Sequence, residues 1–177
     1  MTLVDLANMA EILGAVTIVS GAVFGLYQLV EFRKQRREMV TLELMKTFYS
    51  PELSRAVTMI RSLPDGASAE VLREDLGPEG EAAAVQLCTI FETMGVLVFE
   101  RIAPFGLVEQ LAGGMICVMY RKLSVWLDAV RVEQDQPSWA EWFQWLAEQL
   151  SERKSQSEPA HEKYRAWRPQ GAADLHN

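Results

Sequence analysis

The chain has 177 residues and carries 17 Lys and Arg against 24 Asp and Glu. This length provides for one compact domain and excludes two domains of ordinary size. From Glu38 onward, 13 basic side chains stand against 21 acidic ones, and so acidic a segment excludes a nucleic-acid binder, because binding to phosphates requires a basic face.

An uncharged run of 19 residues, from 12 to 30, is the first element of the chain. An α-helix rises about 1.5 Å per residue, so this run reaches about 28 Å, close to the thickness of the hydrocarbon core of a bilayer. A cleaved signal peptide would place its basic residues before the apolar run, whereas here they follow it. The run predicts a transmembrane helix, and a buried helix of a soluble protein is the alternative.

Four basic residues, which we call the basic collar, follow this run directly. They are Arg33, Lys34, Arg36 and Arg37. Under the positive-inside rule, they place the C-terminal part of the chain in the cytoplasm and residues 1–11 outside the membrane. Neither Pro nor Gly occurs between Leu26 and Ser50, so residues 31–49 are expected to continue the same helix as a cytoplasmic extension.

Small residues recur every four positions in the predicted span, at Thr17, Gly21 and Gly25. Small side chains at this spacing let the backbones of two helices approach closely in lipid, where packing drives association. The pattern predicts that this face packs against another helix, from a second copy of the chain or from another protein. The alternative is a face of small residues that meets only lipid.

Pro, Gly and capping residues divide residues 50–153 into five predicted helices. Their approximate ranges are 51–62, 68–76, 79–100, 104–132 and 137–153. No segment alternates apolar and polar residues between hairpin turns, so no strand is expected. The predicted fold is all-α: a transmembrane helix that continues into a cytoplasmic bundle of about five helices, with a polar, flexible tail over residues 154–177.

The predicted helix over 79–100 is apolar on opposite sides, which is typical of a helix that is buried or in lipid. One side carries Leu87, Phe91, Met94 and Val98, and the other carries Val85, Val96 and Phe99. Burial in the bundle is favoured, because Glu92 lies in the middle of this helix. The rival topology takes the apolar stretches near 84–99 and 104–120 into the membrane.

Glu92 is the one acidic residue in the apolar part of this helix. A buried carboxylate needs a partner, and Arg55, Arg61 and Arg121 are the candidates for an ion pair. The alternative is a carboxylate in a functional pocket, but no second acid, histidine or metal ligand lies near it in the sequence. We therefore predict a buried ion pair with a structural role.

Aromatic residues crowd the last predicted helix. A stripe at helical spacing is expected in the core and consists of Trp139, Trp142, Phe143, Leu146 and Leu150. Trp145 lies beside this stripe and has two interpretations, an anchor for a partner protein or a half-buried residue at the edge of the core. The second interpretation is the commoner one.

No set of residues matches a catalytic, cofactor-binding or metal-binding motif. Cys88 and Cys117 stand in apolar stretches and are expected to be reduced core residues. His161 and His176 are far from both cysteines, so no zinc spacing exists. We therefore expect neither an enzyme activity nor a cofactor.

The predicted tail also contains Arg165, Trp167 and Arg168. These residues allow docking on an acidic partner, and a frayed chain end is the alternative. The sequence favours the frayed end.

Several segments together resemble a family of uncharacterised bacterial proteins that is described as a domain of unknown function. They are Thr41-Leu42-Glu43-Leu44-Met45, Ser50-Pro51-Glu52-Leu53, Leu63-Pro64-Asp65-Gly66, Phe91-Glu92-Thr93-Met94-Gly95 and Glu141-Trp142-Phe143-Gln144-Trp145-Leu146-Ala147. The resemblance covers nearly the whole chain and implies a single N-terminal span, a helical domain and a location in the bacterial inner membrane. It implies no activity, because the family has none assigned.

Two hypotheses of function follow from these observations. In the first, the span places an acidic helical domain at the inner face of the membrane, where the domain acts as a protein-interaction module. In the second, the chain is a single-span accessory subunit of a larger membrane enzyme. The expected partners are the lipid bilayer and, through the transmembrane helix, another protein or a second copy of the chain.

Overall fold

The computed structural model describes residues 3–48 and 50–168 and shows an all-α protein, as the sequence predicted. No strand occurs among these residues. Their helices are α1 (Leu3–Phe48), α2 (Pro51–Arg61), α3 (Ala69–Phe99), α4 (Phe105–Glu133), α5 (Glu141–Ser155) and α6 (Ala160–Lys163). The chain divides into two compact units, of which the first contains α1 and the second contains α2 to α6.

Helix α1 forms the first unit and runs without interruption from Leu3 to Phe48. Large apolar side chains on all of its sides are between 55% and 74% exposed: Leu13, Val16, Ile18, Val19, Val23, Phe24, Leu26, Tyr27, Leu29, Val30 and Phe32. The side chains of the basic collar (Arg33, Lys34, Arg36 and Arg37) and those of residues 1–11 lie outside the described part of the structure. Their roles therefore stay predictions.

The second unit is a helical bundle in which α2 to α5 surround one apolar core. One of the two apolar sides of α3 is buried and consists of Leu87, Phe91, Met94 and Val98. The prediction that both sides are buried is wrong for the opposite side, which is exposed at Val85, Val96 and Phe99. Helix α3 thus contributes one face to the core and presents a second apolar face on the surface of the bundle.

Within the described residues, α3 is the one helix that is long and apolar enough to cross a membrane by length and composition alone. Of the 18 consecutive residues that form the most apolar part of α3, 44% are buried inside the bundle. Its Phe91 ring packs 5.1 Å from the ring of Phe143 on α5. The buried face of α3 is therefore part of the core of the bundle. The apolar stretch of α1 is shorter than that of α3 and covers Val16–Phe32.

The predicted helices over 68–76 and 79–100 are the two parts of α3. Gly77 separates them with a φ of 63°, a left-handed conformation that favours glycine. Pro78 follows and lacks the N–H that would continue the helical hydrogen bonds. Ser68 caps the first part, because its side chain accepts a hydrogen bond from the backbone N–H of Val71.

The turn over residues 63–66 is held against α4. The backbone N–H of Gly66 donates to the carbonyl oxygen of Arg121 at 2.9 Å. The Asp65 carboxylate lies 2.7 Å from the Arg121 guanidinium. Because Gly66 has a φ of 66°, the turn needs glycine at this position. The turn thereby fixes the direction in which the chain enters α3.

Helix α5 begins at Glu141, not at Pro137 as the sequence predicted. Residues 137–140 form a turn, and Ala140 at its end has a φ of 56°. A left-handed residue cannot belong to a right-handed helix, so the helix starts only after it. The position of α5 consequently depends on how this turn is held.

The predicted tail over residues 154–177 is described as far as Arg168. Helix α5 continues to Ser155, and α6 is a single turn from Ala160 to Lys163. All side chains of residues 151–168 are exposed. Residues 169–177, which include His176, lie outside the described part of the chain.

Candidate functional site

Glu92 on α3 caps the N-terminus of α5. Its Oε2 accepts a hydrogen bond from the backbone N–H of Phe143 at 2.8 Å, and the N–H of Trp142 also hydrogen-bonds to the carboxyl. The first N–H groups of a helix have no partner within the helix. The residue before α5 is Ala140, whose side chain cannot accept a hydrogen bond. A carboxylate from another helix therefore supplies the cap.

The ion pair that the sequence predicted for Glu92 is not formed with any described arginine. Arg121 instead pairs with Asp65 at 2.7 Å, while Arg55 and Arg61 are exposed. The physical reason is that the positive end of α5 already offers the carboxylate two N–H donors. A cap of this kind stabilises the carboxylate without burying a second charge.

The surroundings of Glu92 act on its pKa in opposite directions. Burial raises the pKa above the ordinary range of a glutamate, and this is the largest effect. The hydrogen bonds from Phe143 and Trp142 lower the pKa, whereas the charge of Glu141 raises it and that of Arg131 lowers it. The folded protein therefore retains the proton of Glu92 to higher pH than the unfolded chain does.

Arg131 on α4 holds the turn that precedes α5. Its guanidinium donates to the carbonyl oxygens of Trp139 at 2.9 Å and Ala140 at 3.4 Å. It also donates to the side chain of Gln144 at 2.8 Å. With a side chain only 14% exposed, Arg131 supplies a donor to the carbonyl oxygen of Trp139, while that of Ala140 also accepts from the backbone N–H of Gln144 in α5. The start of α5 is thus held from two sides. Glu92 accepts from the first N–H groups of the helix, and Arg131 donates to the carbonyl groups of the turn before it.

Gly95, one turn after Glu92, lets α5 approach α3 closely. A Cβ at this position would lie 2.7 Å from the carbonyl carbon of Trp142 and 2.9 Å from its Cβ. Neighbouring atoms do not come so close to a real Cβ, so only glycine fits here. Gly95 was not predicted from the sequence as a contact between helices. A glycine inside a helix costs about 1 kcal/mol relative to alanine, and that cost was the signal that could have identified it.

Three aromatic side chains, which we call the aromatic cluster, lie together beside this contact. They are Phe99, Trp142 and Trp145. The ring of Phe99 is 4.5 Å from that of Trp142 and 5.8 Å from that of Trp145, and the two tryptophan rings are 5.9 Å apart. Phe99 is 52% exposed, whereas both tryptophans are half-buried. The cluster is a surface of aromatic rings in which the packing of each ring fixes the others.

The small-residue face of α1 is open. A Cβ added at Gly21 or Gly25 would meet no atom within 4 Å. The hydroxyl of Thr17 donates to the carbonyl oxygen of Leu13 at 2.8 Å, so its polar group is satisfied within the helix. This face can accept a closely packed helix without leaving a hydroxyl group unpaired.

Among the described residues, no group of three or more His, Cys, Asp or Glu side chains could hold a metal ion. Cys88 and Cys117 are both free, the first buried and the second half-buried. Burial raises the pKa of the Cys88 thiol to about 12. A thiol with this pKa stays protonated at neutral pH and is a poor nucleophile. His161 is exposed on α6.

A family model for a domain of unknown function, DUF4760, matches residues 15–150 of the chain. The chain belongs to the DUF4760 family. No curated protein matches the chain, and no solved structure matches it. The family description assigns no activity.

The DUF4760 segment begins in the apolar run of α1 and ends at Leu150 on α5. It therefore contains the open glycine face, the cap at Glu92, the close contact at Gly95 and the aromatic cluster. The family segment covers parts of both units. Residues 153–168 lie beyond it.

Proposed function

We propose that this DUF4760 protein is a single-pass protein of the bacterial inner membrane whose cytoplasmic bundle binds other protein. The observation that supports the proposal is α1, with large apolar side chains exposed on every side between Leu13 and Phe32. The bacterial location rests on the resemblance that the sequence shows to a family of bacterial membrane proteins. The orientation rests on the basic collar.

The exposed side chains of α1 require an apolar environment. A helix that is apolar on all sides is stable in a protein core or in lipid. Leaving one large aliphatic or aromatic side chain in water costs about 1.5–3 kcal/mol relative to burying it, and eleven such side chains are exposed on α1. Their span matches the hydrocarbon core of a bilayer, so lipid is the environment that we propose.

The aromatic cluster supports the binding of protein by the bundle. Tryptophan and other aromatic residues supply most of the binding energy at many protein interfaces, because they bury a large area at a low cost in conformational entropy. Trp145 and Phe99 are positioned by their ring contacts before any partner arrives. A partner that covers Phe99 would bury its 52% exposed ring.

The open face of Thr17, Gly21 and Gly25 supports a second candidate function, that of an accessory subunit in a larger membrane enzyme. In that arrangement the partner of α1 is a helix of the catalytic subunit. Purification in a mild detergent separates the two functions. A fixed ratio to a larger enzyme supports the subunit, whereas self-association or a cytoplasmic partner supports the interaction module.

The chain is expected to fractionate with membranes and to resist extraction by alkaline carbonate, because only detergent can replace lipid around α1. A reporter fused after Asn177 should be active in the cytoplasm. Neutral Gln at Arg33, Lys34, Arg36 and Arg37 should weaken this orientation. As a control, Gln at the exposed Arg55 and Arg61 should leave it unchanged. Recovery in the soluble fraction without detergent, or a reporter active only in the periplasm, would contradict the membrane anchor.

Isoleucine at Gly21 and Gly25 is expected to abolish cross-linking of α1 to its partner helix. The added side chains separate two backbones that small residues allow to touch, while the helix stays apolar enough to insert. Val23→Ile is the matched control, because position 23 lies on the opposite side of the helix. Cross-linking that persists in the double glycine variant would show that α1 is an anchor only.

A further inference from the structure

The charge of the second unit changes sign near the end of α5. Between residues 50 and 152, seven Lys and Arg stand against sixteen Asp and Glu. From Arg153 to Arg168, which we call the basic segment, five basic residues stand against two acidic ones. The bundle is thus repelled by an anionic surface, and the basic segment is the part of it that such a surface attracts.

Few of the charges in the basic segment are neutralised by the bundle. Arg153 pairs with Glu109 on α4 at 3.0 Å and lies over the ring of Phe105. Within the described residues, Lys163 and Arg165 have no ion pair. Arg168 donates only to backbone carbonyl oxygens of its own turn. These exposed cations remain able to bind anions.

Two aromatic side chains stand among these cations. Tyr164 is 58% exposed and Trp167 is 68% exposed. The other four tryptophans of the chain are buried or half-buried in the bundle. The backbone N–H of Trp167 donates to the carbonyl oxygen of Tyr164 at 2.9 Å, so a turn brings the two aromatic residues together. Tryptophan and tyrosine beside lysine and arginine are typical of segments at the membrane–water interface.

We propose that the basic segment, Arg153–Arg168, binds the surface of a bilayer that contains anionic lipid. The basic side chains contact the head groups, and Trp167 and Tyr164 enter the interface. The inference rests on the proposed function, because an anchored chain keeps its second unit close to the bilayer. A tethered segment is at high effective concentration, so a weak affinity suffices.

The test follows the fluorescence of Trp167 in the full chain reconstituted into vesicles. One set of vesicles consists of phosphatidylcholine with brominated acyl chains, and the other contains phosphatidylglycerol in addition. The difference between the wild type and Trp167→Phe isolates the signal of Trp167. We expect bromine to quench this signal only in the anionic vesicles. Quenching should disappear at about 0.5 M salt, where the Debye length is below about 5 Å.

Two double variants test whether binding depends on the charge of the basic segment or on the loss of any two exposed arginines. Arg165→Gln with Arg168→Gln should lower the ratio of bound to free segment by about fivefold per charge, since each basic residue near an anionic surface changes the binding constant on that order. Gln at the exposed Arg55 and Arg61 removes the same charge from the bundle and should leave quenching unchanged. Trp139→Phe is the control for fluorescence, because the signal of this half-buried residue should not be quenched in either vesicle.

Equal quenching of Trp167 in neutral and anionic vesicles would overturn the proposal, as would no quenching in either. A third outcome is that bromine leaves Trp167 unquenched while shielding of the segment from soluble quenchers rises with protein concentration. That result would assign the segment to the acidic bundle of a second copy and would also overturn the proposal. Failure of the chain to insert would contradict the membrane anchor instead. In that case the soluble protein is mixed with the same vesicles. The difference in fluorescence between the wild type and Trp167→Phe then shows whether the basic segment binds anionic lipid.

Discussion

Replacing Gly95 by alanine is expected to lower the free energy of unfolding of the bundle by about 3 kcal/mol. For a unit of this size, that loss lowers Tm by about 10 °C. The new Cβ would lie 2.7 Å from the carbonyl carbon of Trp142, and the backbone of α5 cannot yield as a flexible side chain would. Helix α5 must move away from α3, which loosens the contact of Phe91 with Phe143.

Thermal unfolding of the full chain in mild detergent, followed by tryptophan fluorescence, measures this effect. All five tryptophans lie at or after Trp126, so the signal reports on the bundle and not on α1. Gly106→Ala on α4 is the matched control, because its Cβ would meet nothing within 4 Å. That change should stabilise the bundle by about 0.5 kcal/mol. An unchanged Tm for Gly95→Ala would contradict the close approach of α5 to α3.

Replacing Glu92 by methionine is expected to destabilise the bundle by about 1–2 kcal/mol, the usual effect of losing a helix N-cap. The N–H groups of Phe143 and Trp142 would lose their acceptor, while the apolar volume of the side chain is kept. Glu92→Gln retains an oxygen that can accept one of these hydrogen bonds. It should therefore be far milder than the methionine variant, which reverses the result expected for a buried ion pair.

The stability difference between the wild type and Glu92→Gln should depend on pH. Burial raises the pKa of Glu92 in the folded state, so the folded protein binds this proton more tightly than the unfolded chain. Below about pH 4, the carboxyl is protonated in both states. As pH rises from the ordinary pKa of a glutamate through the raised pKa of the folded state, the wild type should lose stability relative to Glu92→Gln. Above that window the difference should be constant.

Urea unfolding of both proteins across this pH range, again followed by tryptophan fluorescence, tests the sign. A wild type that gains stability relative to Glu92→Gln with rising pH would show that the folded protein favours the charged carboxylate, so that burial does not dominate the pKa of Glu92. Equal stability of the methionine and glutamine variants would show that the cap at α5 contributes nothing. The first result would contradict the raised pKa of Glu92, and the second would contradict its role as the cap of α5.

Local chemistry determined much of the fold. Ser50 and Ser68 have side chains that cap helices, Gly77 has the positive φ that breaks α3 in two, and helical spacing places Leu87, Phe91 and Met94 on one face. Each of these signals acts within a few residues, so a single sequence carries it. The uncharged run from 12 to 30 and the collar that follows are local in the same sense, and they supply the prediction of an anchor.

Only the tertiary structure decided where α5 begins and how it is positioned against α3 and α4. The partner of Glu92 is the N-terminus of a helix 51 positions later, and the partner of Arg131 is the turn around Trp139 and Ala140. The sequence pointed to arginine for Glu92, because a charged residue in an apolar helix suggests an opposite charge, and it started α5 at Pro137. Apart from the missing N–H of proline, main-chain N–H and carbonyl groups are the same at every position, so their availability as partners appears only once the backbone is folded.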